Sequence, residues 1–227
     1  RYRPYRAVPR GLVTLRELGW VFAFGALIQF SLALFLEPKL FILLGISWAY
    51  LTLMSVEFFA RDWLKARPIT YLWTHMLIMP LVDFYATSCH WLVGGFEPHP
   101  GLKWFIVVSF FNGIVIEIGR KLRRPEDEEE GVDTYTRLWG TTRGPMVWLS
   151  ILAISAAIGT LAATEIQFAK VFGIIAAVII AIGAAITIRF VKNPDRVSGK
   201  HFETFAGIWT LTLYLGLGPI PYFFNNA

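Results

Sequence analysis

Between Glu117 and Gly140 the chain reads EIGRKLRRPEDEEEGVDTYTRLWG, with its charges sorted by position. The cations Arg120, Lys121, Arg123 and Arg124 come first. The carboxylates Glu126, Asp127, Glu128, Glu129 and Glu130 follow, and Gly131 closes the run. Guanidinium forks match diphosphate oxygens geometrically. Magnesium is usually held by one or two carboxylates together with substrate phosphates and water. Glu117, Asp127 and Glu128, with arginines beside them, meet that need and are the candidate metal ligands. Glu117, Arg120, Lys121 and Arg124 recur at helical spacing, which puts them on one face. The plainer reading is also open, because an acidic run is usually a solvated one.

Other cations supply more of the same chemistry. Arg1, Arg3, Arg6 and Arg10 are spaced by Pro4 and Pro9, which stiffen the segment and lower the entropy cost of presenting the arginines. Arg61 and Lys65 stand one helical turn apart around Asp62, so both can reach one anion. A separate polar set, His75, Asp83 and His90, interrupts an apolar stretch. On an unbroken helix these three fall within about 80° of one another. They are either the polar wall of a chamber on the acceptor side, or two interfacial histidines and one satisfied aspartate. Haem ligation by the two histidines is weaker, because they stand roughly 22 Å apart along a helix axis.

The elements that must position these groups are membrane helices. The chain has 227 residues, 56% hydrophobic and only 16% charged, against about 25% charged in soluble domains. Its mean hydropathy is +0.54. Seven apolar stretches of spanning length are predicted, over 18–36, 40–60, 69–93, 102–118, 145–164, 168–190 and 201–223. The expected class is an all-α polytopic transmembrane bundle forming a single domain over 1–227. Of 21 Lys and Arg, 18 fall in the segments 1–17, 61–67, 119–143 and 189–200, which lie on one side of seven alternating spans. That side is expected to be cytoplasmic, in a bacterial inner membrane. Trp20, Trp63, Trp91, Trp104 and Trp148 are expected near the interfaces. Gly173, Ala177, Ala181 and Ala185 are expected to form a close-packing helix face. Cys89 is the one cysteine, so no internal disulfide forms. Nothing points to nucleic acid.

The order of motifs adds a resemblance. GVDTYTRLWG resembles the G-x-x-T-L-x-x-x-x-G element that follows the second Asp-rich motif of UbiA-type membrane prenyltransferases. Gly131, Thr134 and Gly140 carry the match, with Tyr135 at the Leu position. RYRPYRAVPRG resembles the stretch just after that family's first Asp-rich motif, through Arg3, Pro4, Arg6, Pro9, Arg10 and Gly11. The resemblance implies a nine-helix fold of which seven helices are visible, with the first Asp-rich motif expected just before Arg1. It implies magnesium-assisted transfer of a prenyl group from a polyprenyl diphosphate to an aromatic or other lipid-soluble acceptor. Glu117 and Asp127 would be the catalytic carboxylates, joined by Glu128 in holding the metal. Arg3, Arg6, Arg10, Arg61, Lys65, Arg120 and Lys121 would hold the diphosphate, and His75, Asp83 and His90 would face the acceptor. The chain departs from the pattern at Arg120 and Arg123, where the family has carboxylates. That departure fits an alternative, a non-catalytic UbiA-like subunit that binds a lipid, quinone or pigment in a larger membrane complex. A transporter has little support, since Asp83 is the one acid deep in a span. The D-G-x-x-A-R core of CDP-alcohol phosphotransferases is absent.

Overall fold

The computed structural model describes residues 7–194 and 198–225, and among them every regular element is helical. In chain order these are α1 (Leu15–Leu36), α2 (Pro38–Ser55), α3 (Arg61–Lys65), α4 (Pro68–Met76), α5 (Ile78–Trp91), α6 (Leu102–Arg120), α7 (Tyr135–Thr164), α8 (Ala169–Lys192), α9 (Lys200–Leu217) and α10 (Pro219–Asn225). Five of them, α1, α2, α6, α7 and α8, are long and apolar enough to cross a bilayer. The chain is a membrane protein.

Local sequence explains where the helices start and stop. Thr14 and Glu17 form a reciprocal capping box at α1, with the Thr14 N–H donating to Glu17 at 2.7 Å and the Glu17 N–H to Thr14 at 3.2 Å. Glu37 ends α1 and caps α2, accepting from the Lys39 N–H at 3.2 Å, with Pro38 in the first helical position. Thr134 caps α7 by accepting from the Arg137 N–H at 3.1 Å.

Several boundaries differ from the sequence reading. The second stretch was expected to run to residue 60, but α2 ends at Ser55. The turn beyond it holds Glu57, Phe58 and Phe59 at φ of 53°, 51° and 58°. The third stretch divides at Leu77 into α4 and α5. Pro80 lacks the N–H that would bond the Met76 carbonyl, so the ladder is interrupted there. The fifth was expected to begin at residue 145. Instead α7 begins at Tyr135 and changes direction at Gly140, whose φ of 82° suits a residue without Cβ. The seventh divides at Gly218–Pro219 into α9 and α10.

Two cores hold the helices. The larger lies among α6, α7, α8 and α9. Trp148 and Trp209 are fully buried there. Their indole N–H groups donate to the Val115 carbonyl and the Ser155 hydroxyl, each at 3.1 Å, so neither ring carries an unpaired donor. The Phe202 ring meets Trp148 edge-on at 5.1 Å and Phe190 at 5.2 Å. Trp148 is thus a core residue and not the interfacial one expected. The smaller core joins Ala33 of α1 and Leu40 and Leu44 of α2 to Tyr85 and Cys89 of α5. The small-residue face expected on α8 is not the face that packs inward. Ala177, Ala181 and Ala185 are exposed, while Ala176, Gly183 and Thr187 face the bundle. A Cβ on Gly183 would come within 3.0 Å of Leu152.

Candidate functional site

Glu117 sits on the last turns of α6 and is only 8% exposed. A buried carboxylate needs partners, and helical spacing provides two. The Arg120 guanidinium donates to Oε2, and Lys121 Nζ lies 2.7 Å from Oε1. The Lys121 ammonium also stands 5.9 Å from the centre of the Tyr135 ring. The motif-like segment folds back onto this helix end. The Tyr135 N–H donates to the Lys121 carbonyl at 3.0 Å, and the Arg123 N–H to the Thr136 hydroxyl at 3.1 Å.

The loop between α6 and α7 is cross-braced by its own charges. Arg124 forks onto Asp127 at 2.8 and 2.9 Å. Arg123 meets Glu129 at 2.7 Å. Glu128 accepts from the hydroxyls of Thr134, at 2.6 and 2.7 Å, and of Thr136, at 2.8 Å. The Arg124 hydrogen bonds hold the Asp127 carboxyl below the usual carboxylate range, and the nearby charges of Arg124, Arg123 and Lys200 act in the same sense. Between this loop and the start of α9 lies a cavity of about 550 Å³, lined by Arg120, Arg123, Arg124, Asp127, Glu129, Lys200 and Glu203 among others. Gly199 lets α9 approach, since a Cβ there would fall 2.1 Å from the Leu122 carbonyl oxygen.

A second acidic group was not expected from the sequence. The left-handed turn after α2 directs Glu57 beneath α4. Its Oε1 accepts from the Tyr71 hydroxyl at 3.3 Å, and its Oε2 lies 3.3 Å from His75 Nε2 without hydrogen-bond alignment. Tyr71 stacks on His75 at 3.9 Å. The charges of Glu57, Glu117 and Arg61 all act on the Tyr71 hydroxyl, and those of Glu117 and Arg120 on Tyr135. Glu57, Tyr71 and His75 therefore form one cluster, and the charges of Glu117 and Arg61 reach it at Tyr71.

The remaining expected residues are dispersed. Arg3 and Arg6 lie outside the described residues. Arg10 is exposed in the turn before α1, and Arg61 and Lys65 are exposed on α3. Arg61 does not line the Asp127 cavity. His75 lies on α4 against Glu57 and Tyr71, while Asp83 and His90 lie beyond the break at Leu77, on α5. Asp83 instead accepts from the Ser109 and Tyr214 hydroxyls, the latter at 2.6 Å. Beside it Asn112 accepts from Thr210 at 3.1 Å. His90 belongs to a larger cavity of about 810 Å³ at the opposite end, lined by Trp91, Phe96, Phe105 and Tyr214. Phe105 and Glu117 are separated along α6 by ~18 Å.

Nor do the three candidate metal ligands converge. Glu117 is held by Arg120 and Lys121, Asp127 by Arg124, and Glu128 by two threonines. Among the described residues no three His, Cys, Asp or Glu side chains are grouped to hold a metal ion. As arranged, these carboxylates do not fit a magnesium site. Comparison with protein-family profiles, characterised proteins and solved structures finds no match to the chain.

Proposed function

We propose that the protein is a membrane prenyltransferase that moves a prenyl group from a polyprenyl diphosphate to a lipid-soluble acceptor. The observation that carries this reading is the closure of the GVDTYT segment onto the basic end of α6, through Tyr135 to Lys121 and Thr136 to Arg123. It brings the motif that resembles the UbiA-type element against a cation-lined cavity beneath an apolar bundle.

Arg120, Arg123 and Arg124 offer the diphosphate charge-assisted hydrogen bonds in exchange for their present carboxylate partners, and Lys200 adds a fourth cation to the same cavity. As the carbon–oxygen bond breaks, its electron pair leaves with pyrophosphate, and the cations stabilise that growing charge. The allylic cation left behind is shielded by the bundle and faces the rings of Tyr71 and Tyr135. The acceptor's electron pair then forms the new bond, and its proton is released.

The test is prenyl transfer by the purified protein, followed as pyrophosphate release and prenylated product, with magnesium and with chelator. Arg123→Ala and Arg124→Ala are expected to lower turnover by about a hundredfold, the scale of removing one transition-state stabilising group. Equal turnover in wild type and both variants rejects the site.

One observation favours a second reading, a non-catalytic subunit that binds a lipid, quinone or pigment. The charges of the α6–α7 loop are satisfied internally, while the 810 Å³ cavity at the other end is walled by aromatic rings. Mass spectrometry of co-purifying lipids separates the two. A stoichiometric ring compound without prenyl transfer supports the subunit.

A further inference from the structure

From His90 to Gly101 the chain reads HWLVGGFEPHPG. The two adjacent glycines turn it back on the end of α5. Gly95 takes a φ of 68°, and the Phe96 N–H donates to the Trp91 carbonyl at 2.8 Å. The Phe96 ring then lies against Gly94, where a Cβ would fall 2.2 Å from it, and its centre is 5.8 Å from that of His90. Phe105 of α6 and Tyr214 of α9 add two rings that meet at 81°, with centres 5.9 Å apart. Together with Trp91 these rings wall the 810 Å³ cavity. Trp91 Nε1 is closed off and unpaired among the described residues, so Trp91 offers the cavity its ring and not its N–H.

The charge around this cavity is negative. The exposed Glu97 lines it. Glu165 lines an adjoining cavity of about 570 Å³, which shares His99, Ile166, Leu217 and Gly218 with the first. Among the described residues neither lining includes Lys or Arg, in a chain whose net charge is +5. Lys103, at the start of α6, sits over the Trp104 ring at 5.5 Å instead. His99 Nδ1 accepts from the Gly101 N–H at 3.0 Å, so its hydrogen is on Nε2 and its ring is neutral. The Tyr214 hydroxyl donates to Asp83 at 2.6 Å, which puts another carboxylate behind one of the aromatic walls.

Ring faces attract cations, and a carboxylate beside them adds to the attraction. The kind of cation follows from what the walls lack. A metal ion needs oxygen ligands in place of its water, and aromatic carbon supplies none. A primary ammonium brings three N–H donors, each in need of an acceptor. A fully alkylated ammonium brings no donor and presents only methyl or methylene groups to the rings. We propose that the cavity binds an organic quaternary ammonium group, the chemistry shared by a choline lipid headgroup and a soluble choline-like compound. Glu97 draws the cation in, and Trp91, Phe96, Phe105 and Tyr214 surround it. The assignment stands apart from the transferase reading, whose cations lie at the other end of α6.

The experiment uses the full chain in a neutral maltoside detergent. Equilibrium dialysis measures binding of labelled choline, with 3,3-dimethylbutan-1-ol, its uncharged carbon isostere, as competitor. Choline is expected to bind at least about tenfold more tightly than the isostere, a comparison that needs no substitution. Phe96→Leu should weaken choline binding about three- to thirtyfold, the range for losing one ring from a cation site. Glu97→Lys should weaken it at least as much, while Glu126→Lys, at the other end of the bundle, should leave it unchanged. Both cavity positions are exposed, so neither variant disturbs the core. A second arm reconstitutes the protein in phosphatidylcholine vesicles and records retained lipid by native mass spectrometry. Phosphatidylcholine held by wild type and lost in Glu97→Lys assigns the site to the headgroup. Choline binding without retained lipid assigns it to the soluble compound. Equal affinity for choline and its isostere, or choline binding unaltered in both cavity variants, overturns the proposal.

Discussion

Glu117 shows how much one buried charge constrains. Its two partners lie on the same helix, so the arrangement was legible from spacing in EIGRK. Arg120 keeps 58% of its side chain in solvent, and its charge survives the loss of its partner cheaply. Lys121, only 30% exposed, does not. Glu117→Ala should therefore cost about 1–3 kcal/mol, short of the loss from a fully buried pair, as read from thermal unfolding in detergent. Asp127 answers to pH instead. Its folded carboxyl titrates below the ordinary value of 3.8 because Arg124 holds it. The stabilisation is complete above that value and lost only as pH falls through the lowered folded one. Protease nicking of the α6–α7 loop should stay slow from neutral pH to about 4 and accelerate below. In Arg124→Ala the acceleration should begin at higher pH. Glu57 was not legible at this scale. Nothing in SVEFFAR distinguishes a left-handed turn from the end of a helix, since the conformation is imposed by Tyr50 and His75 from other elements.

At the scale of elements, proline and glycine decide what periodicity alone could not. The apolar stretches located the helices because burial in lipid needs length and little else. Their interruptions depended on single backbone groups, such as the N–H missing at Pro80. That break separates His75, on α4, from Asp83 and His90, on α5. Gly199 is the sharpest case. Gly199→Ala drives a Cβ into the Leu122 carbonyl, so α9 must retreat from the α6–α7 loop. The expected cost is about 1–3 kcal/mol, as for other overpacked sites. Inorganic pyrophosphate binding at the Arg123–Lys200 cavity, measured by calorimetry, should weaken at the same time. Gly207, in the same helix, has open space where its Cβ would go. Gly207→Ala should be neutral or stabilise by up to about 1 kcal/mol. Equal destabilisation of both variants contradicts the contact.

For the whole molecule, the expected topology rests on the 18 cations that the sequence gathers in the segments 1–17, 61–67, 119–143 and 189–200. Single cysteines in a Cys89→Ala background test it. A cysteine at Glu126, whose side chain is 67% exposed, should react with an impermeant maleimide only in inside-out vesicles. One at Glu97, beside the larger cavity, should react only in right-side-out vesicles. Charge and hydropathy made the class of protein readable. The division of labour between its ends was not readable, because it comes from packing. Polar side chains collect where α6 ends, and aromatic ones where it begins.

The single residue Glu37 both finishes α1 and starts α2, and this bears on biogenesis. With no loop between them, the two segments form a tight helical hairpin. Glu37 and Lys39 are the charged residues at that turn, so passing it through a bilayer moves almost nothing polar.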